Sequence, residues 1–246
     1  MYNFFSTTPK INQRYLIEGN DFNHLVNVLR MRVGDRLLVS FDEVSDLCEI
    51  ESVSTSSATL TVIEENYQNT ELPVSITLFQ ALPKGDKTEL IIQKAVELGA
   101  KEIIPVETSR CIVKIENKKK DSKISRWQAI AESAAKQSKR NVIPQVGDLL
   151  TFKQAVQKIK DYDLFLLPYE NHEGMKSTVD ALSQVKKGGK IAVFIGPEGG
   201  FSEQEVLDAT TLGAKVISLG KRILRAETAS ITALSMIMLY VEAKLQ

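Results

Sequence analysis

Four charged residues of this chain could act on a substrate as bases or as stabilisers of an anion, and three of them lie in or near glycine-rich segments. Glu198 lies in the run Gly196-Pro197-Glu198-Gly199-Gly200, and Arg225 and Glu227 follow a second glycine-containing segment. A carboxylate can accept a proton as a general base, and a guanidinium, here Arg225 or Arg110, can stabilise an anion that develops on a substrate. Structural roles compete with this chemistry, because Arg225 and Glu227 are close enough in sequence to form an ion pair and Glu198 can cap a turn.

The two glycine-rich segments follow apolar runs, residues 191–195 and 214–219, that are typical of buried strands. Ligands of open α/β sheets bind outside the carboxyl ends of strands, where glycine lets the backbone approach closely. We therefore predict a site that binds a cofactor mainly through main-chain groups. Neither segment matches the phosphate-binding motifs of nicotinamide or ATP enzymes. Ser202 and Glu205 have the spacing of a helix capping box.

The elements that must position these residues change character near residue 70. Before it, residues 36–41 and 58–63 read as strands, residues 21–30 as a helix with Asp21 as N-cap, and residues 64–70 as a polar linker. After it, strands and helices alternate, which predicts a parallel sheet. Among the predicted helices are one capped by Asp86 that stops at Gly99 and others at about residues 125–139 and 227–245. The last is apolar on most faces, so it must be buried in its own core or against another subunit.

The composition is that of an ordinary globular protein, with 43% apolar and 25% charged residues in a chain of 246. No apolar run reaches the ~18 residues of a membrane span, and the N-terminus does not read as a secretory signal. Two cysteines far apart, Cys48 and Cys111, fit a reducing cytoplasm, and two histidines without a C-x-x-C motif give a metal site little support. We therefore expect a cytoplasmic protein without a membrane segment or a metal.

Four blocks of sequence carry a resemblance to a known family. They are His24-Leu25-x-x-Val28-Leu29-Arg30 with Gly34-Asp35, residues 80–87 running on to 94–99, residues 196–202, and residues 219–229. Thr108-x-Arg110-Cys111 and residues 134–140 add to them. Together, in this order, they make the chain similar to the RsmE-type 16S ribosomal RNA uracil-N3 methyltransferases of the SPOUT superfamily.

The resemblance implies a two-domain enzyme. Residues 1–70 would form a small, β-rich, PUA-like barrel that helps to hold RNA. Residues 73–246 would form an α/β SPOUT methyltransferase domain, in which the C-terminal segment passes through a loop to make a trefoil knot. The implied reaction is methylation, by S-adenosylmethionine, of N3 of a uridine in 16S ribosomal RNA, within a small-subunit particle. The implied assembly is a homodimer with each active site near the interface.

By resemblance, the turns of the knot form the cofactor pocket. The expected residues are Leu167, Pro168, Ile195, Gly196, Pro197, Gly199, Ser218, Leu219, Gly220, Ile223 and Leu224. The apolar side chains among them suit an adenine ring. Uracil N3 carries a proton at neutral pH, so Glu198 or Glu227 is the candidate base, and Arg225 and Arg110 are the candidate stabilisers of the ring anion.

The net charge of zero conceals an asymmetry. Residues 1–72 hold 5 basic and 11 acidic side chains, whereas ten Lys and Arg residues lie between Arg110 and Arg140. Such a cluster can be a solvated helix face with a loop at residues 118–120, or it can bind the phosphates of RNA, which the resemblance favours. The expected RNA contacts are Arg30, Lys84, Lys136, Lys139 and Arg140.

The chain departs from the family pattern in its first domain. Many relatives have an arginine before the Phe-Phe pair, where this chain has Asn3, and glycines where it has the acidic residues 42–46. Both departures lie in the domain that, by resemblance, helps to hold RNA. Two alternatives stay open: a SPOUT enzyme that methylates another RNA or a ribose oxygen, and a non-catalytic RNA-binding factor of ribosome assembly.

Overall fold

The computed structural model describes residues 1–169 and 174–245, which form two compact units. The first unit contains Met1–Glu71 together with Ala135–Ile143, and the second contains Leu72–Ala134 and the chain from Pro144 onward. The expected boundary near residue 70 thus coincides with the end of the first stretch. Residues 135–143, which the sequence analysis assigned to the second domain, belong to the first unit. This segment brings three cations, Lys136, Lys139 and Arg140, into that acidic unit.

The first unit is a five-stranded sheet with the strand order β1-β3-β4-β5-β2. The strands β1 and β3 are parallel, and the other pairs are antiparallel. Its elements are β1 (Asn3–Phe5), β2 (Arg14–Glu18), α1 (Gly19–Asn23), a π-helical turn (His24–Val28), β3 (Arg36–Phe41), β4 (Val44–Val53) and β5 (Ser57–Gln68).

The predicted strand at residues 36–41 is confirmed, but two other predictions for this unit are wrong. The expected linker at residues 64–70 is mostly the end of β5, which continues to Gln68 because it pairs with β4. Asp21 is not an N-cap, since α1 begins two residues earlier, and its carboxylate accepts a hydrogen bond from Lys136 Nζ at 2.8 Å. In both cases a contact with a residue distant in sequence determines the structure, and local sequence does not.

The acidic segment 42–46 has a structural explanation. Asp42 and Glu43 have φ angles of 49° and 64° and form the two-residue turn between β3 and β4. Turns of this kind favour glycine or asparagine, because both central residues need a positive φ. Asp46 is 1% exposed and accepts hydrogen bonds from Lys10 Nζ at 2.8 Å and Tyr15 Oη at 3.0 Å. These acidic residues therefore build the unit's hairpin and its core.

The second unit alternates strands and helices around a parallel sheet. Its elements are β6 (Ser75–Ala81), α2 (Lys87–Glu97), β7 (Glu102–Glu107), α3 (Asn117–Ser138, which ends in the first unit), β8 (Gln145–Val146), β9 (Leu150–Thr151), α4 (Phe152–Gln157), a 3₁₀ turn (Ile159–Asp161), β10 (Leu164–Pro168), α5 (Lys176–Leu182), β11 (Lys190–Ile195), α6 (Glu203–Thr211), β12 (Lys215–Ile217) and α7 (Ala226–Lys244).

The predicted parallel sheet is confirmed. Its strand order is β12-β10-β11-β6-β7-β8, β9 also pairs with β7, and every pair is parallel. An aromatic core packs on it, in which Phe79 and Phe194 have ring centroids 5.8 Å apart. Gly99 ends α2 as predicted, with a φ of 90°. The expected loop at residues 118–120 is wrong, because α3 already begins at Asn117.

The helix α7 is buried on one side only. Ala226, Ser230, Ala233, Leu234, Ile237 and Val241 are buried, and the helix packs against α2 and β11. On the remaining surface Leu239 is 66% exposed. Burial in the chain's own core, one of the two explanations that the sequence left open, therefore applies to one face of the helix. No helix within the described residues is long and apolar enough to cross a membrane.

Candidate active site

A pocket of about 750 Å³, open to solvent, lies at the carboxyl ends of three neighbouring strands in the second unit. Its walls come from the segments that follow β10, β11 and β12 and from the first turns of α7. The strands β12, β10 and β11 are adjacent in the sheet, which brings these three chain segments together. This is the place where open α/β sheets bind ligands.

Nine of the eleven residues expected to bind the cofactor line this pocket. They are Pro168, Ile195, Gly196, Pro197, Ser218, Leu219, Gly220, Ile223 and Leu224. Leu167 does not, because its side chain is fully buried in the aromatic core, and Gly199 does not, because its edge of the loop packs against Arg110. Six further residues that were not expected from the sequence also line it: Tyr169, Gly200, Phe201, Arg222, Ala226 and Ala229. Most of these residues are next to expected ones in the sequence. Their position within or beside the glycine-rich blocks could therefore have predicted that they line the pocket.

The loop after β11 is held by the predicted capping box and by the segment after β7. Ser202 Oγ accepts from the N–H of Glu205, and Glu205 Oε2 accepts from the N–H of Ser202, as the spacing predicted. The other carboxylate oxygen of Glu205 accepts from the N–H of Ser109 at 2.8 Å. Arg110 Nη1 donates to the carbonyl oxygen of Gly199, also at 2.8 Å. Four hydrogen bonds thus fix the loop before any ligand enters.

The loop after β12 is held by α5. Thr178 Oγ1 donates to the carbonyl oxygen of Ser218 at 2.7 Å and accepts from its N–H at 3.0 Å. Ser218 Oγ in turn accepts from the N–H of Gly220 at 3.1 Å. Gly220 has a φ of 110°, which side-chain-bearing residues rarely adopt, so glycine is required at this turn.

The two candidate bases share one lysine. Glu198 lines the pocket, and its Oε1 accepts from the N–H of Lys84 at 3.0 Å and from Lys87 Nζ at 3.2 Å. Lys87 Nζ also lies 3.2 Å from Oε2 of Glu227. Lys87 was not among the residues expected at the site, although it is the last residue of the block 80–87 that carries the resemblance.

Both carboxylates are stabilised in their ionised form. Burial opposes ionisation of Glu198, but hydrogen bonds from its own backbone N–H, from Lys84 and from Lys87 outweigh burial and lower its pKa. The pKa of Glu227 is lowered first by a hydrogen bond from its own backbone N–H and then by Lys87 and Arg225. The pKa of Lys87 is raised, first by Glu227 and then by Glu198. All three groups therefore carry their charge at neutral pH.

The arginines are arranged differently from the expectation. Arg110 uses one guanidinium nitrogen to hold Gly199. Arg225 is exposed and occupies the N-cap position of α7, and within the described chain Glu227 pairs with Lys87 rather than with Arg225. The arginine that lines the pocket is Arg222. The proposed ion pair between Arg225 and Glu227 is therefore absent from the described structure.

The residues expected to contact RNA fall into two groups. Arg30, Lys84 and Lys139 are exposed. Arg140 is 3% exposed and forms a bidentate ion pair with Glu71, and Lys136 pairs with Asp21. A guanidinium this deeply buried does not reach a phosphate, so the structure gives Arg140 a role in the packing of the first unit.

The pocket fits an adenosyl cofactor and gives no support to a metal. Apolar side chains, main-chain groups at the glycines and one carboxylate, Glu198, line the pocket within the described chain. Within residues 1–169 and 174–245 no three His, Cys, Asp or Glu side chains are grouped as metal ligands.

Comparisons with known proteins agree with this geometry. The model of the RNA methyltransferase domain matches residues 70–238, and that of the RNA methyltransferase PUA domain matches residues 17–63. Ribosomal RNA small subunit methyltransferase E of Bacillus subtilis is 42% identical over 91% of this chain and 89% of its own length.

Two solved structures are similar over nearly the whole chain. Ribosomal RNA small subunit methyltransferase E of Neisseria gonorrhoeae, bound to S-adenosylmethionine, is 30% identical with a TM-score of 0.85 and 97% coverage of both chains. A Legionella pneumophila protein in complex with the same cofactor is 31% identical with a TM-score of 0.82 and 96% coverage of both. With the matching domains and the pocket at the three strand ends, the chain belongs to the family of ribosomal RNA small subunit methyltransferase E.

Proposed function

We propose that the protein uses S-adenosylmethionine to methylate N3 of a specific uridine in 16S ribosomal RNA. The observation that carries this proposal is the pocket at the ends of β10, β11 and β12, which contains nine of the residues expected from the family pattern. Family membership supports the class of reaction and the cofactor. A ribosomal RNA substrate implies that the enzyme works in the cytoplasm, as part of the maturation of a small-subunit particle.

The chain's own contribution to cofactor binding is a preformed cradle. Ile195, Leu219, Ile223 and Leu224 offer apolar surface to an adenine ring, and Gly196 and Gly220 let main-chain groups approach the ligand. S-Adenosylmethionine supplies an activated methyl group when it is bound. Since the methyl carbon is already activated, the protein mainly positions the reactants and prepares the nucleophile.

Glu198 accepts the N3 proton in this proposal. It is the one carboxylate among the residues that line the pocket in the described chain, and its lowered pKa keeps it ionised at neutral pH. Proton removal leaves a negative charge on the uracil oxygens, and a nearby guanidinium stabilises such an anion. Arg225, exposed between the pocket residues Leu224 and Ala226, supplies it.

We also infer that the second unit is knotted. The edge strand β12 pairs only with β10 among the described strands, yet α7, which follows it, packs against β11 and α2. Ser218, in the segment that connects β12 to α7, makes two hydrogen bonds through its backbone with Thr178, which lies in the stretch between β10 and β11 in the chain. Passage of the C-terminal segment through that stretch accounts for both contacts.

We propose further that two copies pair through the exposed face of α7. Leu239 is 66% exposed, and its neighbours Met236 and Met238 are only half-buried. Exposed apolar surface of this kind marks association sites. The pocket is lined in part by Ala226 and Ala229 of the same helix, which supports a dimer in which each site lies near the interface.

Replacing Leu239 with glutamate should dissociate this dimer, because the change puts a charge on the contact surface. Light scattering at micromolar concentration should give about twice the chain mass of 27.4 kDa for the parent and the chain mass for the variant. Leu207→Glu is the matched control, since Leu207 is 58% exposed on α6. A parent protein that is monomeric and fully active would contradict the proposal.

The first part of α3 is a better candidate for an RNA-binding surface than the segment around Arg140, because its basic side chains are exposed. Lys118, Lys119 and Arg126 have side chains that are 79%, 60% and 69% exposed. Their partners are Glu116, which is 58% exposed, and Glu89, which is 31% exposed, so these ion pairs at the surface are weak competitors for a phosphate. We propose that this segment contacts RNA, in place of Arg140.

Changing Lys118, Lys119 and Arg126 together to alanine should weaken RNA binding and reduce its salt dependence. The slope of log K against log salt should fall by about 0.7–0.9 for each lost phosphate contact. Filter binding over a salt series measures this slope, and cofactor affinity serves as the control because it should not change. An unaltered slope would mean that the three side chains touch no phosphate.

Deletion of the gene tests the proposed function. Nucleosides of 16S ribosomal RNA from the deletion strain should lack one 3-methyluridine that the parent strain contains, and the intact gene should restore it. Unchanged 3-methyluridine, or loss of a methyl group from a ribose or from another RNA, would contradict the assignment.

A further inference from the structure

Lys87 joins three segments that are distant in sequence at the wall of the pocket. It is the first residue of α2, Glu198 lies in the loop after β11, and Glu227 lies in the first turn of α7. The ammonium is 3.2 Å from a carboxylate oxygen of each glutamate. The backbone N–H of Lys84, just before α2, donates to the same oxygen of Glu198.

The geometry leaves Glu198 little freedom. Its Oε1 is held from one side by two donors, while the neighbouring Gly199 is held through its carbonyl oxygen by Arg110. Among the described residues, Glu198 lines the pocket and Lys87 and Glu227 do not, so Lys87 contacts the lining carboxylate without being part of the wall. An ordinary surface ion pair joins two side chains and contributes little, whereas this lysine connects the start of α2 with one loop and with the start of α7.

The positive charge of Lys87 also affects the ionisation of the two glutamates. Oε2 of Glu227 is buried, and the charge of Lys87 compensates for that burial. Without the lysine, two carboxylates that now share one cation would face each other, and like charges raise the pKa of a carboxyl group. The other charged groups at this place are Arg225, which acts on Glu227, and Arg110 beside Gly199.

We propose that Lys87 is a positioning residue for methyl transfer, which fixes Glu198 at the pocket wall by holding it and Glu227 on one ammonium group. This inference rests on the proposed function for the identity of the reaction. The role differs from that of a simple structural ion pair, because it controls both the place and the ionisation of the proton acceptor.

The test compares Lys87→Met and Lys87→Arg with the parent and with Lys94→Met. Lys94 is the matched control, since it lies on the same helix and pairs only with Glu97 three residues away among the described residues. The first measurement is the titration of the glutamate carboxyls by carbon NMR, which needs no activity. The second is kcat/KM for methyl transfer to small-subunit RNA as a function of pH.

The folded-state pKa of each glutamate is now lowered, so activity that needs the ionised form is lost only as the pH falls through that lowered value. Lys87→Met should raise both titration midpoints and move the acid limb of kcat/KM to higher pH by about one unit. Lys87→Arg should restore the parent profile, and Lys94→Met should not alter it.

Two failures can be told apart. A parent that binds cofactor but transfers no methyl group to the RNA would contradict the proposed function, and the NMR titration would still decide whether Lys87 controls the carboxylates. A parent that is active, with midpoints and pH profile unchanged in Lys87→Met, would overturn the inference. If the methionine variant does not fold, Lys87→Gln replaces it in both measurements.

Discussion

Replacing Gly196 with valine is expected to lower the affinity for S-adenosylmethionine about ten- to a hundredfold, because forcing extra methyl groups into a tightly packed place costs about 1–3 kcal/mol. A Cβ atom at this position would lie 3.3 Å from the carbonyl carbon of Gly200 and 3.3 Å from the ring of Phe201. That ring is 2% exposed and packs edge-on against Phe194, with centroids 4.9 Å apart, so it has little room to move. The branched side chain must therefore displace the loop that lines the pocket.

Calorimetry on a graded series measures this effect. Alanine at position 196 adds only the Cβ and should cost less affinity than valine, while thermal unfolding checks that both variants are folded. An affinity equal to that of the parent in a folded valine variant would place the cofactor elsewhere.

The second large effect concerns stability. Replacing Arg140 with methionine is expected to destabilise the first unit by about 3–5 kcal/mol, since it leaves a buried carboxylate without its partner. Glu71 and Arg140 have side chains that are 8% and 3% exposed, and Glu71 also accepts from the N–H of Asn141 at 2.9 Å. The carbonyl oxygen of Arg140 accepts from Asn3 Nδ2 at 2.9 Å, which ties the same segment to β1.

Hydrogen exchange in peptides from β3 and β4 reports the first unit, and the fluorescence of Trp127 reports the second. Lys139→Met is the matched control, since Lys139 is an exposed cation in the same segment. Adding Glu71→Leu to Arg140→Met should recover much of the loss, because an apolar pair can replace a buried ion pair. Normal protection in Arg140→Met, together with weakened RNA binding, would instead support the phosphate contact expected from the sequence.

The sequence predicted the parts of the fold that local patterns determine. The apolar runs predicted β11 and β12, and the spacing of Ser202 and Glu205 predicted the capping box. Gly99 predicted the end of α2. The pocket followed as well, since parallel strands place their carboxyl ends along one edge of the sheet. These features depend on residues that are close in sequence or on one general rule of topology.

The features that the sequence did not predict depend on contacts between distant residues. Arg140 is bound to Glu71, 69 positions away, and Lys87 reaches Glu198, 111 positions away. A sequence pattern does not distinguish a lysine or arginine whose charge faces solvent from one that pairs with a buried carboxylate. The length of β5 was missed for a similar reason, because its polar end pairs with a strand that the pattern had not identified.

Methyl transfer with purified components tests the central claim most directly. The protein is incubated with S-adenosylmethionine that carries an isotope-labelled methyl group and with small-subunit particles from a strain that lacks the gene. The account predicts labelled 3-methyluridine in 16S ribosomal RNA with the parent protein and, at a cofactor concentration near the parent's Kd, strongly reduced labelling with Gly196→Val. Label on a ribose or on another base, or no transfer by a parent protein that binds the cofactor, would contradict it.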